Sequence, residues 1–389
     1  MTYWHLAKNT ISSDRMVELF TQVAESGNYT CGNTVEVFEH MLADYLDTKY
    51  CVMVNSGSSA NLLMIATLVE SGRLKQGDKV LVPAVSWSTT YFPLAQYGLI
   101  PVFIDVDKDG ILDLFHEIIK IHPEIKAILA VNLLGKTIDI QLFYDFCIDN
   151  GLLLLEDNCE SFGSFYSGLN KKAGSLASMA TNSFFFSHQL NAIEGGCITT
   201  NEEAVYYMLK SLRAHGWTRE QDANSPHWHP SGDNFKDSFT FINKGYCLRP
   251  QEINASVGIE SLKNITNEAI IRNKNAKYFY QVVSDIPYVS TLDWIKDSRY
   301  NTFGLPMFFK CPEDRSIVYR ALLDVDIHTR PIIGGNFLNQ PVMRKIPHET
   351  CGTFKNAEWY DKCGMMFGNY GEDLTDQIDE MSKVLRDLL

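Results

Sequence analysis

LLLLEDNCESFG, Leu152 to Gly163, opens on four leucines and closes on three carboxylates, Glu156, Asp157 and Glu160. Leucine at every position of the run gives neither face of a strand a side fit for water. The run therefore predicts a strand over Leu152–Glu156 that is buried on both faces, as in a parallel sheet covered by helices. Charged groups directly after such a strand lie at its carboxyl edge, where α/β sheets bind ligands. Working outward, short β-branched apolar runs alternate with longer amphipathic stretches from about residue 50 to about residue 200, the spacing of strands joined by crossover helices. The predicted strands are Tyr50–Val54, Lys79–Val82, Ile100–Ile104, Ala127–Asn132, Leu152–Glu156, Asn182–Phe186 and Gly196–Thr200. Helices are predicted over Asn61–Glu70 and Asp139–Asn150. The fold class is α/β, with a three-layer αβα large domain and a mostly parallel sheet.

Downstream, Gln251–Leu262 and Asn267–Ser284 read as helices, Thr302–Pro306 and Asp326–Arg330 as strands, and Asp373–Leu388 as a terminal helix. This divides the chain into a large domain over residues 1–250, whose N-terminal segment is free to pack elsewhere, and a smaller α+β domain over 251–389. The polar, turn-rich stretch Gln221–Lys236 (QDANSPHWHPSGDNFK) predicts a long loop of the kind that lies over active sites.

Composition excludes several function classes. A length of 389 residues, 45% hydrophobic, can bury a large core. No basic stretch followed by an apolar segment opens the chain and no apolar run is long enough for a bilayer, so a cytoplasmic protein without membrane association is expected. With 34 basic against 47 acidic side chains the formal charge is −13, which argues against a nucleic-acid surface. Nine cysteines stand at irregular spacings, none nearer than the twelve positions from Cys147 to Cys159 or from Cys351 to Cys363. Reduced thiols are expected, with no disulfide framework, metal site or iron–sulfur cluster.

Four stations carry chemistry. In NSGSSANLLMI, Asn55 to Ile65, small residues at a strand-to-helix junction bare the N–H groups around Gly57 and Ser58, which can hold a phosphate monoester; an ordinary capped turn would look the same. In VPAVSWSTTY, Trp87 follows a predicted strand end and can stack on an aromatic ring or simply pack. In LLLLEDNCESFG, Asp157 can pair with a protonated pyridine nitrogen, cap a helix or bind a metal. The fourth is NSFFFSHQLNAIEGG, Asn182 to Gly196, centred on His188.

In this order the four stations resemble the pyridoxal phosphate-dependent sugar aminotransferases, a family with the aspartate aminotransferase fold. The resemblance covers nearly the whole chain, including RAHGWTR (Arg213–Arg219) and GYCLRPQEINASVG (Gly245–Gly258). It implies a mixed, mostly parallel sheet and a homodimer with active sites at the subunit interface. In that family the serine ending a strand is followed five residues later by the lysine that bonds to the cofactor, and six residues after that by an acidic residue and Gly-Gly. Here Ser183 and Glu194-Gly195-Gly196 fill the outer places, and the lysine place holds His188.

An imidazole forms no Schiff base. The resemblance therefore implies pyridoxal 5'-phosphate or pyridoxamine 5'-phosphate bound without a covalent link. The implied reaction is loss of the C3 hydroxyl from a nucleotide-linked 4-keto-6-deoxy sugar, with GDP and the mannose configuration implied by the resemblance alone. His188 would be the base, with an ordinary pKa near ~6.5, and L-glutamate would regenerate the amine form. The resemblance further places Gly57, Ser58 and Ser183 at the cofactor phosphate, Trp87 over its ring, and Asp157 and Glu160 beside it. His215 and Arg219 would approach the site, their own or a partner's, while Arg249 and Arg330 are candidates for a carboxylate or phosphates because guanidinium binds both bidentately. One position departs from the pattern: Cys247 stands where the family places an asparagine that reaches the neighbouring subunit's phosphate, and a thiol is a weaker donor.

Three rival readings remain open in the sequence. A true 4-aminotransferase would need a lysine base, and Lys171 and Lys244 lie outside the motif. An iron–sulfur-dependent 3-dehydratase would need grouped cysteines. A cofactor-binding protein that has lost catalysis would show no turnover.

Overall fold

The computed structural model describes residues 3–114, 122–222 and 224–388. Among the described residues twelve strands run in chain order: β1 Tyr50–Val54, β2 Lys79–Pro83, β3 Ile100–Ile104, β4 Ile125–Val131, β5 Leu153–Asp157, β6 Met179–Ser183, β7 Gly196–Thr200, β8 Val289–Ser290, β9 Gly304–Phe309, β10 Thr329–Arg330, β11 Glu349–Thr350 and β12 Gly364–Gly368. They form an eight-stranded sheet in the order β1-β7-β6-β5-β4-β2-β3-β11 and a four-stranded sheet in the order β10-β12-β9-β8.

The leucine run behaves as its composition requires. β5 lies between parallel neighbours β4 and β6. Along β2, on the far side of β4, successive side chains enter opposite layers. Val80 and Val82 join a core with Leu63 and Met64 of the helix Gly57–Glu70, while Leu81 joins Phe143 and Phe146 of the helix Ile140–Asn150. Such alternation with both faces apolar is what a sheet covered on each side produces. Each fully buried leucine or phenylalanine contributes roughly 1.5–3 kcal/mol to this packing.

Strand direction then brings the site residues to one edge. β2, β3, β4, β5 and β6 are mutually parallel, β7 is antiparallel to both β6 and β1, and so β1 points the same way as β6. The carboxyl ends of β1, β2, β4, β5 and β6 share one rim with the amino end of β7. Glu194 to Gly196 thereby return to the rim on which Ser183 ends.

Several expected boundaries move. The strand expected over Asn182–Phe186 is β6, Met179–Ser183, and Phe185 and Phe186 are half-exposed beyond it. Thr302–Pro306 becomes Gly304–Phe309. Asp326–Arg330 shrinks to Thr329–Arg330 because Asp326 takes a left-handed φ of 60° that no strand allows. The two helices expected after residue 250 are one, Glu252–Ser284, since neither glycine nor proline interrupts Lys263–Thr266. The expected loop Gln221–Lys236, apart from Ala223, which lies outside the described residues, is largely irregular and enters a single helical turn at Asn234–Asp237. β11 comes from residues 349–350 yet pairs with β3 of the large sheet. Among the described residues no helix is long and apolar enough to cross a membrane.

Candidate active site

A cavity of about 340 Å³ opens at this rim, and Gly57, Ser58, Trp87, Asp157, Glu160, Ser183, His188 and Glu194 all line it. All four stations thus meet in one place. The smaller sheet closes the far wall with Arg330, just at the end of β10, and with Phe303.

The cradle begins where β1 ends. Ser56 caps the helix Gly57–Glu70, its hydroxyl accepting from Ser59 N at 3.1 Å, and the first helical N–H groups have no partner within the helix. Ser183 backs directly onto this turn: a Cβ at Gly57 would stand 2.5 Å from Ser183 Cβ and 2.9 Å from its Oγ. A Cβ at Gly196 would stand 2.7 Å from Gly57 N. Only glycines let β6, β7 and the helix start meet this closely. Ser58 Oγ shares a hydrogen bond with Thr89 Oγ1 at 3.0 Å, and the Trp87 indole is 55% exposed over the cavity.

Asp157 is buried and oriented by three donors. Its Oδ2 accepts from Asn61 Nδ2 at 2.8 Å and from Thr90 Oγ1 at 2.7 Å, and its Oδ1 accepts from Cys159 N at 3.2 Å. Thr181 Oγ1 in turn donates to Asn61 Oδ1 at 2.6 Å. Glu156 points the other way, accepting from Tyr166 Oη and from Asn132 Nδ2 at 2.7 Å, so of the three carboxylates it belongs to the core. Burial raises its pKa. Glu160 accepts from Leu134 N at 3.1 Å, and burial pushes it up to about 7, against the opposing pull of the Arg330 charge.

His188 follows a turn in which its N–H donates to Phe185 O at 2.8 Å. Its ring stacks on Phe303, centroids 5.0 Å apart at 23°, and its Nδ1 is buried without a hydrogen-bond partner among the described residues. The ordinary pKa assumed from the sequence does not hold. Burial first, then repulsion from Arg330 and Arg272, pushes His188 down to about 3, because an imidazolium there would be poorly solvated beside two cations. The ring is neutral at physiological pH.

Among the described residues no lysine lines the cavity. Lys244 pairs with Glu70 at 3.0 Å, and Lys171 pairs with Asp47. His215, Arg219, Arg249 and Cys247 do not line the cavity of their own chain. The first two and Cys247 are exposed, Arg219 lies 5.1 Å over the Trp217 ring, and Arg249 Nη2 lies 3.7 Å from Cys247 Sγ. Arg213 of RAHGWTR is structural, bridging Glu39 at 2.5 Å and Glu220 at 2.6 Å in the interior. The sequence reading missed Asn61, Thr90 and Phe303. Asn61 and Thr90 lie inside the quoted motifs, but only the fold shows that both face Asp157.

A family model described as the DegT/DnrJ/EryC1/StrS aminotransferase family matches residues 10–386. The chain belongs to this family. It is 40% identical over 378 residues, 96% of each chain, to a protein of Yersinia pseudotuberculosis named GDP-4-keto-6-deoxy-D-mannose 3-dehydratase. The structure of the Escherichia coli protein of that name with bound hydrated PLP is 39% identical, superposes with a TM-score of 0.92, and is matched over 99% of this chain and all of that one. A further structure of such an enzyme, with a trapped PLP-glutamate geminal diamine, is 38% identical with a TM-score of 0.91 over 98% of this chain and 100% of the other. Membership fixes the fold as the one the stations implied.

Proposed function

We propose that this member of the family is a 3-dehydratase that uses non-covalently held pyridoxamine phosphate to remove the C3 hydroxyl of GDP-4-keto-6-deoxymannose, giving a 4-keto-3,6-dideoxy sugar of the colitose type, as in O-antigen synthesis. The observation that carries this reading is His188 in the lysine place of a cavity that no lysine among the described residues lines. The named substrate is supported by the name of the Yersinia pseudotuberculosis relative, and glutamate as amino donor by that of the structure with the trapped PLP-glutamate geminal diamine.

The residues present fit the cofactor. The N–H groups at Gly57 and Ser58, with the Ser183 hydroxyl, form an anion cradle at a helix start, Trp87 offers an indole face, and Asp157 is pre-oriented for a pyridine nitrogen. When bound, pyridoxamine phosphate supplies an amine for the sugar ketone and an electron-withdrawing ring that acidifies the adjacent carbon. Asp157, held by Asn61, Thr90 and the Cys159 amide, keeps that ring protonated. His188 takes the proton at its cavity-facing Nε2, for which a neutral ring is required. Returning that proton to the departing hydroxyl needs a more basic imidazole, and the negative charge of a phosphate and of a nucleotide sugar would raise its pKa. Arg330, without an ion-pair partner among the described residues, would take the glutamate carboxylate or a substrate phosphate.

A homodimer belongs to the same reading. Phe235, Phe239 and Phe241 are 91%, 71% and 57% exposed, a density of bare aromatics uncommon on a monomer, and they share a segment with His215, Arg219, Cys247 and Arg249. We place that segment across a partner's cavity. Incubation with pyridoxal phosphate, glutamate and GDP-4-keto-6-deoxymannose, with products identified by mass spectrometry, tests the whole. Loss of one oxygen with release of ammonia is expected; a 4-amino sugar would overturn it.

A further inference from the structure

Five buried polar atoms without a hydrogen-bond partner among the described residues belong to one neighbourhood: His188 Nδ1, Gln189 Oε1, Asn301 Oδ1, Thr302 Oγ1 and Arg272 Nε. Hydrogen bonds and one ring contact tie them together. Gln189 Nε2 donates to Glu160 O and, at 3.0 Å, to Asn301 O. Thr302 O accepts at 2.9 Å from Asn369 Nδ2, and Asn369 O accepts from Arg272 Nη1. Phe303, next along the chain, carries the ring stacked on His188. Gln189, Asn301, Thr302 and Arg272 are each at most 3% exposed.

The chemistry of each orphan is fixed. Both partners of the Gln189 amide nitrogen are carbonyl oxygens, so its NH₂ orientation is settled and Oε1 is turned away. Asn301 Nδ2 donates to Phe162 O at 3.0 Å, which likewise settles Oδ1 as an acceptor. Arg272 Nε can only donate, the Thr302 hydroxyl can do either, and His188 Nδ1 takes whichever role its proton assigns. Orphans of this kind, in a buried polar setting, are satisfied in native proteins by internal water. Holding one water costs less than leaving several buried groups unpaired.

We propose an internal water site behind His188, bounded by Gln189, Asn301 and Arg272, that holds the imidazole as its Nδ1–H tautomer and so leaves the Nε2 lone pair facing the cavity. Proton counting sets the tautomer. A water that donates to Gln189 Oε1 and Asn301 Oδ1 has spent both protons and keeps two lone pairs, one for Arg272 Nε–H and one for His188 Nδ1–H. The opposite tautomer would ask it for a third proton. Gln189, Asn301 and Arg272 are positioning residues, acting on chemistry through His188. The water site rests on the unpartnered atoms and on the hydrogen bonds that link their residues, whereas its effect on turnover rests on the dehydratase reading.

Side-chain ¹⁵N spectroscopy of histidine-labelled protein tests the tautomer, with the His188 signal assigned by its loss in His188→Asn. The expected wild-type signal is Nδ1–H, turning to a mixture with Nε2–H in Gln189→Met, with turnover about tenfold slower and the cofactor Kd unchanged. Asn301→Leu, which frees the water's other proton, is the second variant should Gln189→Met fail to fold. A wild-type Nε2–H signal, or a tautomer that neither variant moves, overturns the proposal. If the tautomer shifts as expected but the wild-type protein turns over no sugar, the dehydratase reading fails while the water site stands.

Discussion

Replacing Gly57 by alanine sets two effects of opposite sign against each other. Helix propensity favours alanine by about 0.5–1 kcal/mol at a helical position. Against it, the new Cβ would stand 2.5 Å from Ser183 Cβ and 3.1 Å from Ser183 Cα, where carbon atoms prefer about 3.5–4.0 Å. Neither opposing atom can leave by a rotamer change, so the helix start or the end of β6 must shift by about 1 Å. Overpacking of this kind costs about 1–3 kcal/mol and outweighs the propensity gain. The same shift misaligns the cradle N–H groups, and losing one charge-assisted hydrogen bond of about 1.5–3 kcal/mol weakens phosphate binding about 10- to 100-fold. Thermal denaturation and a pyridoxal phosphate titration read the two losses separately. Ser183→Gly in the Gly57→Ala background removes the opposing Cβ and hydroxyl, so it should recover most of the stability but not the affinity. A single variant with wild-type Tm and Kd, or a double variant no more stable than the single, would refute the packing argument.

Four shorter tests follow. His188→Lys should retain the cofactor through borohydride reduction and denaturation and lose dehydration; native-rate dehydration in that variant would remove the imidazole from the mechanism. Because burial raises Glu160 from 4.5 to about 7, the native state holds that proton more tightly than the unfolded chain, and wild-type stability falls as pH rises through this window. Glu160→Gln should therefore gain on the wild type by up to about 3 kcal/mol between pH 4.5 and 7, and a difference that stays flat with pH in chemical denaturation would count against it. Arg330→Gln should raise the His188 pKa, since Arg330 is one of the two cations depressing it; an unmoved ¹⁵N titration would contradict this. Cys247→Asn should tighten cofactor binding if the segment carrying it reaches a partner's phosphate, and an unchanged Kd would exclude that contact.

Leucines on both parities of Leu152–Leu155 determine a strand covered on both sides, and the motif order determines the family, because both are properties of the chain read in line. His188 was legible for the same reason: its register between Ser183 and Glu194 needs no coordinates. Other features depend on distances that sequence does not encode. The antiparallel course of β7 brings Glu194 to Gly196 back to the rim of Ser183, and this direction is set by sheet pairing. Asn61 and Thr90 orient Asp157 from two separate helices. The identical carboxyl chemistry of Glu156 and Asp157 is split between core and cavity by which face of β5 each occupies. Sequence supplied the imidazole with its ordinary pKa; tertiary structure set its charge state, because burial beside Arg330 and Arg272, residues remote in the chain, makes the protonated ring costly.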